Sequence, residues 1–467
     1  MRAILGRSNF LARSLTVALA TLTLLSGAVA ASGRDRSHDP ARRPNILLIV
    51  TDDQRIGTFN VMPATKRKFA DRGTVFTDAY ATSPLCCPSR TSIMTGRYPH
   101  NHEVRRNEDA MNLDQETTLQ YYLQRAGYTT ALVGKYLNAW PELQAAPPYF
   151  DRWAAIDDSS YAHVYTGFGA NVDGRVFYPD GYSTDFIGDQ SARFLRGFEA
   201  DDDRPWFLYV APFASHKPFQ PERSYKWART PQWNGNPAVG ELDRTDKPPW
   251  VQERRVGLSG ARGTARAQSR TLMSVDDLVE KTFAALSKFD ETRDTLAIFI
   301  SDNGYLWGEH GLASKRFPYS AAVKVPFALR WPGHVGRGRI DDRMVANIDI
   351  TPTVLDVVGI ESNPDVPIDG RSLFAPGERE ALLLEYFGAR LGESPPWSSY
   401  RTDTYQYTEY YDETTGVLTF NEYYDLANDR WQLENLLGDA DTANDPLMPF
   451  FSAQLAEAKS CAGSSCP

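Results

Sequence analysis

The sequence predicts an α/β fold: a large, mixed but mostly parallel sheet flanked by helices, then a small antiparallel α+β subdomain at the C-terminal end. Three observations predict it. Asn45–Thr51 and the runs 129–133, 206–210 and 295–300 are short and apolar, as expected of strands buried on both faces. Segments with helical periodicity lie between several of these runs, the usual connection of parallel neighbours. Beyond about residue 370 the pattern changes to short Tyr-rich runs with a hairpin signal.

The chain has 467 residues, enough for one large domain with an appended piece. Arg2, Arg7 and Arg13 precede an apolar run over 15–25, and Ala28-Val29-Ala30 forms a small-residue cleavage site. This reads as a secretory signal over 1–30, cut after Ala30, which predicts a secreted or cell-envelope protein. The run is short for a span, and no later apolar stretch approaches 18 residues, so no membrane association is expected after cleavage. Residues 31–43 are polar and read as a disordered lead-in. A formal net charge of −9 argues against nucleic acid as the main partner.

The catalytic domain is expected over 44–368. Its first strand, Asn45–Thr51, ends in Asp52-Asp53. A short helix over 65–72 closes at Gly73, and a strand over 74–80 leads to the turn at Cys86. A helix over 117–125 precedes the strand 129–133, which delivers Gly134-Lys135-Tyr136. Residues 140–200 show little periodicity and read as loops at the sheet edge. The strand 206–210 is followed by Ser215-His216-Lys217-Pro218, and 221–262 reads as a surface excursion. Val275, Leu278, Val279, Phe283 and Leu286 recur at helical spacing and predict a helix over 272–289. The strand 295–300 ends in Ser301-Asp302-Asn303-Gly304. A strand over 325–330 and a helix over 349–358 follow. The subdomain, 369–460, is read as a strand over 382–386, a hairpin of 404–411 with 417–424, and a helix over 445–458 with Pro446 in its first turn. In the tail, 461–467, Cys461 and Cys466 bracket a small-residue loop and are expected to pair in an exported protein.

Two clusters carry chemistry. Asp52, Asp53, Asp302 and Asn303 stand at strand ends, where open α/β sheets place their ligands. Three carboxylates and an amide oxygen suit a hard cation, Ca²⁺ or Mg²⁺. Taken singly, either pair could simply cap a turn. The second cluster is Leu85-Cys86-Cys87-Pro88-Ser89-Arg90. Pro88 marks a helix start, so Cys86 sits where the backbone dipole favours negative charge, and Arg90 faces the same side four residues on. A sulfur anion is expected to be stabilised there.

Cys86-Cys87-Pro88-Ser89-Arg90 with Thr95-Gly96-Arg97 resembles the signature of the type I, formylglycine-dependent sulfatases of the alkaline phosphatase superfamily. The resemblance implies that a formylglycine-generating enzyme oxidises Cys86 to Cα-formylglycine. It implies a Ca²⁺ site, with Mg²⁺ as the alternative, formed by Asp52, Asp53, Asp302, Asn303 and the modified residue 86. Lys135, His216 and Lys315 match positions that contact the sulfate or its leaving group, and Arg90 holds the modified residue. Asn138 departs from the pattern, because many sulfatases carry a His two or three residues after the Lys135 position. The base that expels sulfate is therefore unassigned. His100, His102 and His310 are the alternatives, with His310 the first choice for a pocket residue. Asn138 and His310 are assigned to substrate binding. The phrases Tyr98-Pro-His-Asn-His102, Gly134-Lys-Tyr-Leu-Asn138 and Asp302-Asn-Gly-Tyr305 look like the N-acetylglucosamine-6-sulfatase group within that family, which shares the Asn138 departure.

The implied activity is hydrolysis of a sulfate ester on a carbohydrate or aryl sulfate, through a formylglycine hydrate and a covalent sulfo-enzyme. A phosphonate monoester or phosphodiester hydrolase with the same centre stays open. So does a catalytically silent protein that binds sulfated glycans.

Overall fold

Strand Asn45–Thr51 lies at the middle of the main sheet with every residue buried. Its side chains alternate between two cores. Ile46, Leu48 and Val50 face one, with Ile93, Leu119, Leu123 and Val354. Leu47 and Ile49 face the other, with Ile187, Leu195, Leu272, Val275 and Leu278. A strand that must satisfy two apolar layers has no polar face, which explains its unbroken run. The computed structural model describes residues 43–159, 164–200, 204–388 and 394–467, so the expected leader and nearly all of the lead-in lie outside the described residues.

Ten strands form the main sheet, in the order Arg339–Asp341, Thr74–Phe76, Phe327–Arg330, Thr295–Ser301, Asn45–Thr51, Trp206–Ala211, Thr129–Gly134, Arg152–Ile156, Ala170–Val172 and Arg175–Phe177. The five from Thr295–Ser301 to Arg152–Ile156 run parallel. Phe327–Arg330 and Ala170–Val172 join them antiparallel. Helices Cys86–Thr95, Leu119–Arg125 and Ile350–Val358 cover one face, and Ser183–Phe198 and Leu258–Lys288 cover the other. A four-stranded antiparallel sheet, Ala381–Tyr386, Trp397–Thr402, Tyr405–Tyr411 and Leu418–Asp425, forms the C-terminal subdomain with helix Met448–Ala458. The α/β class and its antiparallel appendage are as the sequence predicts. Cys461 and Cys466 form a disulfide, and Cys86 and Cys87 are free.

Three local readings need correction. Residues 140–200 are not only loops: they hold three strands and the 16-residue helix Ser183–Phe198. Gly188 and Gly197 both lie inside that helix. The long helix begins at Leu258 rather than 272, inside the presumed surface excursion. Trp397–Thr402 forms a strand that its polar sequence concealed.

Candidate active site

Four adjacent parallel strands bring their carboxyl ends to one place. Thr51 pairs with Ser301, so Asp52-Asp53 and Asp302-Asn303 emerge side by side. Trp206–Ala211 leads to His216, and Thr129–Gly134 delivers Lys135. Gly134 has φ +107, and a Cβ there would lie 2.1 Å from the Ala211 carbonyl oxygen. Only glycine lets the strand turn there and aim Lys135 inward.

Helix Cys86–Thr95 meets these strand ends with its first turn and closes at Gly96, φ +70. Ser89 Oγ donates to the Asp302 carbonyl, and Asn347 Nδ2 donates to Ser89 Oγ at 2.9 Å. Arg90 Nε donates to Asp302 Oδ2 at 2.8 Å, and its Nη2 reaches Asp52 Oδ2 at 3.4 Å. Lys135 Nζ donates to the same Asp52 oxygen at 2.8 Å. The Cys86 thiol donates to Asp52 Oδ1 at 3.5 Å. Lys315 Nζ donates to Cys86 Sγ at 2.7 Å and also to Asp53 Oδ1, with Asn303 Oδ1 at 3.4 Å. Asn303 Nδ2 donates to Asp53 Oδ1 at 2.7 Å. His216 Nε2 lies 3.8 Å from Asp53 Oδ2, and its Nδ1 is 2.7 Å from the Lys217 carbonyl oxygen.

Burial sets the electrostatics. Desolvation alone would raise the Asp52 carboxyl, but Lys135, His216, Arg90 and Lys315 outweigh it and hold the group far below its ordinary value. Asp302 is raised by burial and by Asp52, which Arg90, Lys315 and Lys135 only partly offset. Burial, then Asp52, pushes the Cys86 thiol up to about 12. This corrects the expectation of a stabilised sulfur anion: the helix dipole loses to desolvation and to the neighbouring carboxylate. The unmodified thiol stays protonated and is a poor nucleophile.

Ligand atoms of Asp52, Asp53, Cys86 and His216 lie within 4.8 Å of one another, a group that could hold a metal ion. Asp302 and Asn303 adjoin it through hydrogen bonds to Asp53. The donor set fits Ca²⁺ or Mg²⁺, because it is dominated by carboxylates. The Lys315 ammonium lies between Asp53, Asn303 and Cys86, so the pocket already accommodates one cation.

The remaining sequence candidates fall elsewhere or at the margin. Asn138 stands beside Lys135, and its carbonyl oxygen accepts from Cys87 Sγ at 3.8 Å. His310 bonds Glu241 at 2.8 Å and lies against Tyr319. It lines a cavity of about 580 Å³ with Arg55, Lys324 and Arg401, to which none of the acid-cluster residues contributes. His100 bonds Glu385 and the Cys461 carbonyl, and His102 bonds Ser92, so both make structural contacts. The sequence reading passed over Asp158 and Asn347. Asp158 follows an apolar strand just as Asp52 does: Trp153-Ala-Ala-Ile precedes Asp157-Asp158. That parallel was the available signal.

Comparison with known proteins agrees with this geometry. The family profile described as Sulfatase matches residues 44–360, and one described as N-sulphoglucosamine sulphohydrolase, C-terminal, matches 308–459. The chain is 34% identical over 364 residues to an extracellular sulfatase SULF-1 homolog of Drosophila melanogaster, covering 73% of this chain and 32% of that protein. It is 29% identical over 482 residues to human N-acetylglucosamine-6-sulfatase, covering 91% and 86%. The chain thus spans about a third to a half of the length of the SULF-1-type relatives it matches. Among solved structures, one in complex with its substrate D-glucosamine-2-N,6-O-disulfate superposes with TM-score 0.74 at 22% identity, covering 89% of this chain and 97% of that one. The phosphonate monoester hydrolase of Agrobacterium radiobacter gives TM-score 0.70 at 22% identity, covering 89% and 95%. At such identity the likeness is one of fold.

Proposed function

The chain belongs to the sulfatase family, and on that premise we propose that it is an exported hydrolase of sulfate esters acting on a sulfated carbohydrate of the N-acetylglucosamine-6-sulfate kind. One observation carries the reading: Cys86 is held at the meeting point of Asp52, Asp53 and His216, with Lys315 and Lys135 beside it. The sugar is inferred from the N-acetylglucosamine-6-sulfatase relatives.

Asp52, Asp53, Asp302 and Asn303 would hold Ca²⁺ or Mg²⁺, which would supply positive charge to the sulfate oxygens. Oxidation of Cys86 by a formylglycine-generating enzyme would place a hydrated aldehyde there, the oxygen nucleophile that the buried thiol is not. The chain's own residues do the rest. Lys135 and Lys315 present fixed charge to the sulfate in a dry site, where it acts most strongly. Arg90 fixes Asp52 and Asp302 relative to residue 86. The His216 ring, anchored at Nδ1 by the Lys217 carbonyl, offers Nε2 for proton transfer to the departing sugar oxygen, and Lys315 bonds the same Asp53 carboxylate that Nε2 faces.

Mass spectrometry of the tryptic peptide 73–90 from protein made in its native host is expected to show an aldehyde at residue 86. Cys86→Ser is expected to fold and to lose turnover of an aryl sulfate by several orders of magnitude. Near wild-type turnover in that variant rules the reading out, and preference for an aryl phosphonate would move the activity to that ester class.

A further inference from the structure

Beside the acid cluster lies a second, smaller group of buried polar side chains that the proposed reaction does not use. Asn138 Nδ2 donates to Asp158 Oδ2 at 3.0 Å, and Lys135 Nζ lies 3.9 Å from the same oxygen. Asn138 is 5% exposed and Asp158 7%. Asn138 Oδ1 is buried with no hydrogen-bond partner among the described residues. A buried acceptor left unmatched costs on the order of 1–3 kcal/mol, so its persistence points to a donor that binds there.

Resting on the sulfatase reading, we infer that Asp158 is a positioning residue of the same centre: it orients the Asn138 amide so that Oδ1 is the acceptor presented to a hydroxyl of the reacting group beside Lys135. The chemistry of the amide supports this. The amide NH₂ is the group that faces Asp158, with the carboxyl oxygen as its acceptor. The oxygen is then directed the other way, and a flip would set oxygen against carboxylate. Burial raises the Asp158 carboxyl; Lys135, from the same turn as Asn138, and Arg90 oppose that rise, and Asp52 and Asp157 add to it. Glu142, the other buried acid here, is pushed up to about 9 by burial and by Asp158. The turn from Lys135 to Asn138 packs directly on the reactive helix, because Arg90 Nη1 donates to the Lys135 carbonyl and Cys87 Sγ to the Asn138 carbonyl. An amide fixed here can meet a hydroxyl at residue 86 or on the sugar, but it cannot take a proton. Its contribution is therefore orientation rather than basicity.

The test is a double-mutant cycle in full-length, matured protein with Asp158→Asn, Asn138→Ala and the pair, reading kcat, KM and Tm on an aryl sulfate. Each single change is expected to lower kcat about 10–100-fold, as loss of an orienting partner does, with KM and Tm little changed. The double variant is expected to be no slower than the slower single, since both act through one hydrogen bond. Losses that multiply, or full kcat in Asp158→Asn, overturn the inference. If Asp158→Asn does not fold, Asn138→Ser alone decides, because it removes the amide and leaves the Asp158 carboxyl. Full kcat there overturns the proposal, and a loss confined to kcat supports it. A wild type that cleaves only an aryl phosphonate defeats the sulfatase reading, and the same cycle is then read on that ester.

Discussion

Two fully buried carboxylates, Asp52 and Glu422, manage their charge in opposite ways. At the strand ends, Asp52 is fully buried among Lys135, Arg90, Lys315 and His216. In the C-terminal sheet, Glu422 is equally buried but is held by phenols. Tyr319 and Tyr424 donate to its Oε1 at 2.9 and 2.7 Å, and Tyr410 donates to Oε2 at 2.7 Å. Asp52 is held far down, whereas Glu422 is raised by burial despite Lys247 and the three hydroxyls. At Asp52 four cations outweigh desolvation, whereas at Glu422 three neutral donors and one cation do not. On the proposed reading, the first site keeps the Asp52 oxygens ionised for a cation. The second joins strands Tyr405–Tyr411 and Leu418–Asp425 to the segment that follows Lys315.

The largest effect should come from removing the charge at the first site. Asp52→Ala leaves Lys135 and Arg90 without their shared carboxylate. Breaking such a buried pair costs about 3–5 kcal/mol, and turnover should vanish with it. Chemical denaturation beside an aryl sulfate assay checks both. Unchanged stability would remove the contrast, because it would mean that the cations do not need Asp52.

A smaller effect, with a distinctive pH signature, belongs to Glu422. Its folded pKa lies above the ordinary glutamate value of 4.5. Above that value the unfolded chain releases the proton while the folded one retains it, so this residue's contribution to stability falls as pH rises from 4.5 toward the folded pKa. Glu422→Gln removes the titration. The variant is therefore expected to gain on wild type as pH rises from about 4.5, measured by thermal denaturation at a series of pH values. A difference that does not vary with pH would show that Glu422 is ionised like Asp52, and the two sites would then be alike.

How much of each site could be read from the sequence follows from the same contrast. The acid pairs were legible because each follows an unbroken apolar strand, and strands with two buried faces cannot disguise themselves. Arg90 was legible because helical spacing fixes the face it shares with Cys86. Asp158 follows a strand of the same kind, Arg152–Ile156, but Gly- and aromatic-rich neighbours gave that region the texture of loop. The Glu422 cluster was invisible for a different reason. Tyr424 shares a strand and a face with Glu422, but Tyr319 and Tyr410 come from other segments, and a Tyr-rich strand reads the same whether its hydroxyls meet water or a buried carboxylate. The stabilised Cys86 anion was misread because local rules see the helix dipole and not the Asp52 carboxylate brought in from another strand.

The finest division of the comparison is a single phenol. Tyr410→Phe removes one of the three hydroxyls on Glu422 and leaves the ring against Trp250, whose centroid lies 5.3 Å away. If the phenols act as independent neutral hydrogen bonds, the loss should be about 1 kcal/mol, with activity unchanged, since no atom of the strand-end cluster touches Tyr410 among the described contacts. Urea denaturation with an aryl sulfate assay measures both. A loss of 3 kcal/mol or more would place the single phenol in the range of a broken buried ion pair. The hydroxyl would then be compensating a negative charge, and Glu422 would belong with Asp52 rather than opposite it. A loss near the smaller figure keeps the two sites distinct: one carboxylate made reactive by cations, the other made structural by phenols that share a proton-retaining acid.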